Sequence, residues 1–133
     1  QTTPLRTFLD QWYRNPLFAS LHRHPDKYAE MLQRRMQNNT DALAKALQGL
    51  GTGEMRSLWR DLGQIERSLS LLVGSLDDKI LTINCEMAAM MQESAVKLEI
   101  IENCGHNLHL EAPTAYTHTV LQFLATQSKY LCG

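Results

Sequence analysis

No long apolar run, no surplus of either charge and no paired cysteine framework occurs in these 133 residues, and each absence removes a class of protein. A membrane-crossing helix needs roughly 20 consecutive apolar residues, and nothing here approaches that. Thirteen Lys and Arg face fourteen Asp and Glu, for a net charge of −1. With the two signs interspersed, there is no broad basic surface for nucleic acid or anionic lipid. Cys85, Cys104 and Cys132 are widely spaced and odd in number. They fit neither a disulfide framework nor a zinc ribbon, so we expect small buried hydrophobes in a reducing compartment. No signal peptide or transit segment opens the chain. It begins at Gln1 rather than methionine, from which we expect processing or truncation to have set that end. No G-x-S-x-G occurs among its serines.

What is present divides into unlike halves. Residues 1–62 read as all-helical. Leu5 to Tyr13 is amphipathic and is broken at Asn15-Pro16. Pro25 stands where the first helical turn tolerates it, with Tyr28, Met31, Leu32 and Met36 at helical spacing behind it. Asn38-Asn39-Thr40-Asp41 is cap chemistry for a helix from Ala42 to Leu50, and we read its glycosylation pattern as that cap. Gly49, Gly51 and Gly53 end that helix, and a last one is expected over Glu54–Leu62.

Residues 63–133 change character. The run 69–74 reads as a strand, and Ile80, Ile83, Met87, Met90 and Met91 follow at helical spacing, the methionines as core filling. The run 96–101 is a second strand, in which Val96, Leu98 and Ile100 alternate with Lys97 and Glu99, so that one face meets solvent. Pro113 opens a final helix carrying Tyr116, Val120, Leu121 and Leu124. This is a right-handed strand–helix–strand unit of α/β class. Two parallel strands do not make a stable sheet, so the remaining strands are expected from residues upstream of Gln1.

Asp77 and Gly105-His106 each stand just beyond one of those strands. Open α/β sheets carry their chemistry at that edge, and acid-then-histidine is the closing order of one kind of nucleophile–acid–histidine triad. A general-base histidine needs a carboxylate on its far nitrogen to fix the tautomer. Asp77 is favoured over Asp78 because it lies nearer the strand. Ser75 follows a strand too closely before the acid to be a nucleophile elbow. His106, His109 and Glu111 offer metal-ligand types, as does His22-x-His24 more weakly, but no second cluster supports a metal. Arg35 falls on the apolar stripe of Tyr28, Met31 and Leu32, where a guanidinium either snorkels or holds a carboxylate. Trp12-Tyr13 either packs into the core or walls a pocket.

Three segments carry a resemblance: Asp10-Gln11-Trp12-Tyr13-Arg14-Asn15-Pro16-Leu17-Phe18, Arg35-Met36-Gln37-Asn38-Asn39, and Cys104-Gly105-His106-Asn107-Leu108-His109-Leu110-Glu111-Ala112-Pro113. Gly74-Ser75-Leu76-Asp77-Asp78-Lys79 matches the corresponding acid loop. With these, the chain resembles the C-terminal half of an α/β-hydrolase-fold protein of the MenH-type 2-succinyl-6-hydroxy-2,4-cyclohexadiene-1-carboxylate synthase family. The likeness implies a partial α/β-hydrolase fold: a helical cap over 1–62, the C-terminal part of the core over 63–133, and an N-terminal half of the sheet supplied from elsewhere. It implies a lyase that eliminates pyruvate from a succinyl-enolpyruvyl-cyclohexene carboxylate in menaquinone or phylloquinone biosynthesis, without metal or organic cofactor. Asp77 then orients His106, His106 activates a serine outside this chain, Arg35 binds a carboxylate of a small anionic substrate, and Trp12 lines the pocket. The plant form is part of a large plastid protein, so the implied setting is the chloroplast in a plant and the cytoplasm otherwise. Another α/β-fold hydrolase and a non-catalytic fragment are the competing readings.

Overall fold

The computed structural model describes residues 4–51, 53–92 and 95–127; Cys132 lies outside them. Three α-helices lead: α1 (Leu5–Trp12), α2 (Pro25–Arg35) and α3 (Thr40–Leu50), with a 3-10 helix, Pro16–Arg23, between the first two. The proline and asparagine chemistry fixes these boundaries. Asn15 accepts from Leu17 N through its side chain, with Pro16 opening the 3-10 helix. Pro25 opens α2, and Asn39 Oδ1 accepts from Ala42 N at 2.9 Å to cap α3. Leu9, Tyr13, Phe18, Leu21, Met31 and Leu32 form one buried cluster, with Tyr28 and Leu110 packed against it. Tyr13 is its aromatic hinge, 4.9 Å from Phe18 and edge-on to Tyr28 at 5.9 Å, centroid to centroid.

The expected helix over Glu54–Leu62 does not form as an α-helix. Turn and irregular chain run to Leu58, and a 3-10 helix, Trp59–Gln64, follows. Met55, Leu58 and Trp59 stay exposed, and Leu62 alone of these apolar residues is buried. Short helices draw their stability from packing an apolar face, and this segment has little to pack against.

The second half is β1 (Leu69–Gly74), α4 (Asp78–Ala89), β2 (Val96–Ile101), a single turn α5 (Leu108–Glu111) and α6 (Pro113–Gln127). β1 and β2 are parallel, with Leu69 opposite Val96 and Gly74 opposite Ile101. The expected alternation in β2 breaks at its end: Ile100 is exposed and Ile101 buried. Ile101, on the opposite face from Ile100, lies where the two strand-end loops join, its carbonyl oxygen accepting from Ser75 N. Of the methionines expected as core, Met91 is buried, Met87 half-buried and Met90 exposed at the end of α4. On α6, Leu121 and Leu124 are exposed, while Tyr116 and Val120 are half-buried.

Candidate active site

Both strands end at the same edge, and the loops leaving them are stitched together through the backbone. Ser75 N donates to Ile101 O and Leu76 N to Cys104 O, each at 2.9 Å. Asn103 N donates to Ser75 Oγ at 2.9 Å, so this serine braces the joint. Asn103 takes a φ of 56°, a left-handed conformation asparagine tolerates better than most residues. Gly74 makes the approach feasible, because a Cβ there would fall on the carbonyl oxygens of Cys104 and Gly105.

This joint delivers Asp77 and His106 to each other across 29 residues of sequence, His106 Nδ1 lying 2.7 Å from Asp77 Oδ2. The Asp77 side chain is 4% exposed and the His106 side chain 34%. Asp77 Oδ1 is occupied separately, accepting from Ile80 N at 3.2 Å to cap α4. Asp78, the rejected alternative, is exposed in the first turn of α4. With Nδ1 on the carboxylate, the imidazole's Nε2 has no hydrogen-bond partner among the described residues. A neutral ring with its proton on Nδ1 therefore presents Nε2 as a base.

Two residues hold this arrangement, Phe18, which the sequence did not single out, and Glu111, which it offered only as a metal-ligand type. Phe18 meets the His106 ring edge-on at a centroid distance of 5.7 Å. Glu111 is buried, and its carboxylate accepts from Gly105 N at 3.0 Å and Asn107 N at 3.2 Å. The sequence signal for Glu111 was its ligand type beside His106 and His109, not a bond to backbone, and nothing local distinguishes Phe18 from core. Because Glu111 turns both oxygens to backbone donors, it does not face His109, which instead lies against Tyr116. Among the described residues no group of three His, Cys, Asp or Glu side chains is placed to share a metal ion.

Arg35 and Trp12 lie further out. Arg35 is exposed and lines a cavity of about 290 Å³ with Met31, Arg34, Asn38, His109 and Leu110. It therefore abuts the turn that follows His106. Trp12 is exposed, stacked on Phe8 at 5.9 Å and tilted towards Phe18 at 6.4 Å. Phe18 meets both Trp12 and the histidine ring. No hydrogen bond, ion pair or ring contact joins Arg35 or Trp12 to His106 among the described residues. Beneath the loop, burial pushes the Cys104 thiol above its ordinary pKa, and the negative charge of Glu111 adds to this against Lys27 and Arg23.

No family model matches the chain. It is 33% identical over 92% of its length to a Bacillus subtilis (strain 168) protein provisionally named 2-succinyl-6-hydroxy-2,4-cyclohexadiene-1-carboxylate synthase, of which it covers 44%. The synthase of that name from Salmonella newport (strain SL254) is 31% identical over 91% of the chain, again with 44% of the relative covered. The Arabidopsis thaliana protein PHYLLO, chloroplastic, is 31% identical over 90% of the chain and is covered over 7% of its own length. Among solved structures, MenH from S. aureus superposes with a TM-score of 0.87 at 30% identity, over 93% of this chain and 46% of that one. The chain thus spans less than half the length of these relatives. Over some nine-tenths of its residues it is a homologue of part of the MenH-type synthases, with a partial α/β-hydrolase fold.

Proposed function

We propose that Asp77 and His106 are the acid and base of a Ser-His-Asp triad, in a MenH-type lyase acting in menaquinone or phylloquinone biosynthesis. The observation that carries this reading is the 2.7 Å bond from a buried carboxylate to His106 Nδ1, which leaves Nε2 open at the carboxyl edge of two parallel strands. The nucleophile's serine comes from residues beyond this chain. His106 Nε2 takes the serine proton, and the serine oxygen removes a carbon-bound proton from the substrate ring. The ring gains a double bond as the C–O bond to the enolpyruvyl group breaks, and pyruvate leaves with a proton returned through His106. Asp77 stabilises the imidazolium that forms between these steps.

Arg35, beside the turn after His106, holds a carboxylate of the anionic substrate, and Trp12 walls the pocket with Phe8 and Phe18. Residues 1–62 act as the cap and 63–133 as the end of the core. The strands that complete the β1–β2 sheet come from the N-terminal half of the hydrolase domain, and the 133-residue chain by itself is inactive. A plant source would place it in the chloroplast, where the Arabidopsis relative is named as chloroplastic, and any other source in the cytoplasm.

The test is pyruvate release from the succinyl-enolpyruvyl-cyclohexene carboxylate by the full-length protein. Wild type turns over, and His106→Ala loses about three orders of magnitude or more. A variant within a few-fold of wild type removes the catalytic reading. A second reading, an esterase or carbon–carbon hydrolase, uses the same pair but does not need Arg35. Substitution Arg35→Met separates the two: a selective loss on anionic substrates supports the lyase, and equal losses on anionic and neutral substrates remove the case for a carboxylate-bearing substrate.

A further inference from the structure

Among the described residues, Glu111 is the one buried carboxylate near the site that the proposed chemistry does not use. It ends the single turn α5, and its side chain reaches back along the chain rather than outwards. Oε2 accepts from Gly105 N and Oε1 from Asn107 N, the amides of the residues on either side of His106. Around it the packing is close. A Cβ on Gly105 would collide with the Ser20 side chain and come within 3.3 Å of Glu111 Oε1. Lys27 Nζ donates to the Glu111 carbonyl oxygen at 3.3 Å, tying α2 to this turn. The Cys104 thiol in the same loop feels the charge of Glu111, opposed by Lys27 from α2 and Arg23 from the 3-10 helix.

We propose that Glu111 is a positioning residue: its carboxylate grips the backbone on both sides of His106 and thereby fixes where the imidazole meets Asp77. A loop peptide bonded only on one side of His106 can rotate about the other, carrying the ring with it. Holding both flanking N–H groups on one rigid carboxylate removes that freedom. Asp77 and Phe18 then need only select the ring's rotamer. The catalytic consequence rests on the proposed role of the Asp77–His106 pair, whereas the positioning itself does not.

Two readouts on the full-length protein keep these apart. The first is the nuclear magnetic resonance signal of the His106 Nδ1 proton, expected well downfield in wild type because it is bonded to a carboxylate. In Glu111→Ala, held well below its melting temperature, that signal broadens or moves towards the solvent-exposed position. The second is steady-state pyruvate release, in which kcat falls about 100-fold, the loss expected for a misplaced base. KM stays within about threefold, since no substrate contact is removed. Glu111→Gln keeps the shape and one oxygen acceptor, so it falls between wild type and Glu111→Ala on both readouts. An unchanged signal and kcat in folded Glu111→Ala, with only a lower melting temperature, overturns the proposal. If Glu111→Ala does not fold, Glu111→Gln decides alone: wild-type signal and kcat in it overturn the proposal. A normal signal in wild type with no pyruvate release defeats the lyase reading and leaves the positioning role to be judged by the signal.

Discussion

Asp77 has two oxygens with different duties, and its substitutions separate them. Oδ1 caps α4 at Ile80 N and Oδ2 holds His106. In Asp77→Asn the oxygen that stays on Ile80 N leaves an amide N–H facing Nδ1. Nδ1 must then accept, the imidazole proton moves to Nε2, and the base is lost. Turnover is expected to fall by about 10⁴ through the wrong tautomer, while the melting temperature barely moves. Asp77→Ala also loses the cap, at roughly 1 kcal/mol, which a denaturant titration reads. The same scale holds a pH effect. The Cys104 thiol is pushed above its ordinary 9.0 by burial, then by Glu111. Folding therefore favours the protonated thiol. Its contribution is intact below pH 9 and is lost as the pH rises from there towards the folded value. Tyr28, also raised by burial, acts in the same direction. Denaturant midpoints at pH 8 and pH 10 are expected to differ more in wild type than in Cys104→Ala. Exposed Cys85 is labelled by thiol reagents before Cys104.

At the scale of elements, the site depends on how closely two strand ends approach. Gly74→Ala places a methyl group on the carbonyl oxygens of Cys104 and Gly105. It should cost about 1–3 kcal/mol as an overpacked contact and separate Asp77 from His106, so that activity falls along with stability. This joint was only half legible in the sequence. The strands, the crossover helix and the choice of Asp77 over Asp78 followed from apolar runs and position. The bonds that close the joint are mostly backbone to backbone, and these leave no residue signature. Phe18 carries no local signal of a site, and in the structure it belongs to the buried cluster and also meets the His106 ring edge-on. The segment 54–62 spaces Met55, Leu58 and Leu62 as a helix does, but of the three only Leu62 is buried. Local pattern specifies an α-helix only where tertiary packing completes it.

For the whole molecule, the buried cluster lies among the leading helices, while the sheet has two strands among the described residues. Large apolar side chains stand exposed on α3, on 54–59 and on α6, among them Leu47, Leu50, Met55, Leu121 and Leu124. Apolar exposure on this scale marks surfaces that pack against something else. The 133-residue chain alone is therefore expected to bind a hydrophobic dye and to release no pyruvate. Joined to the N-terminal half of a MenH-type synthase, it should lose dye binding and gain activity. Dye fluorescence and pyruvate assay on the two preparations check this. The central claim is that Asp77 and His106 act as one unit, and a double-mutant cycle on pyruvate release by the full-length protein tests it most directly. The losses in kcat from Asp77→Asn and His106→Ala should fail to add, the double variant being no slower than His106→Ala alone. Losses that multiply, or single variants that keep wild-type turnover, would contradict the pair.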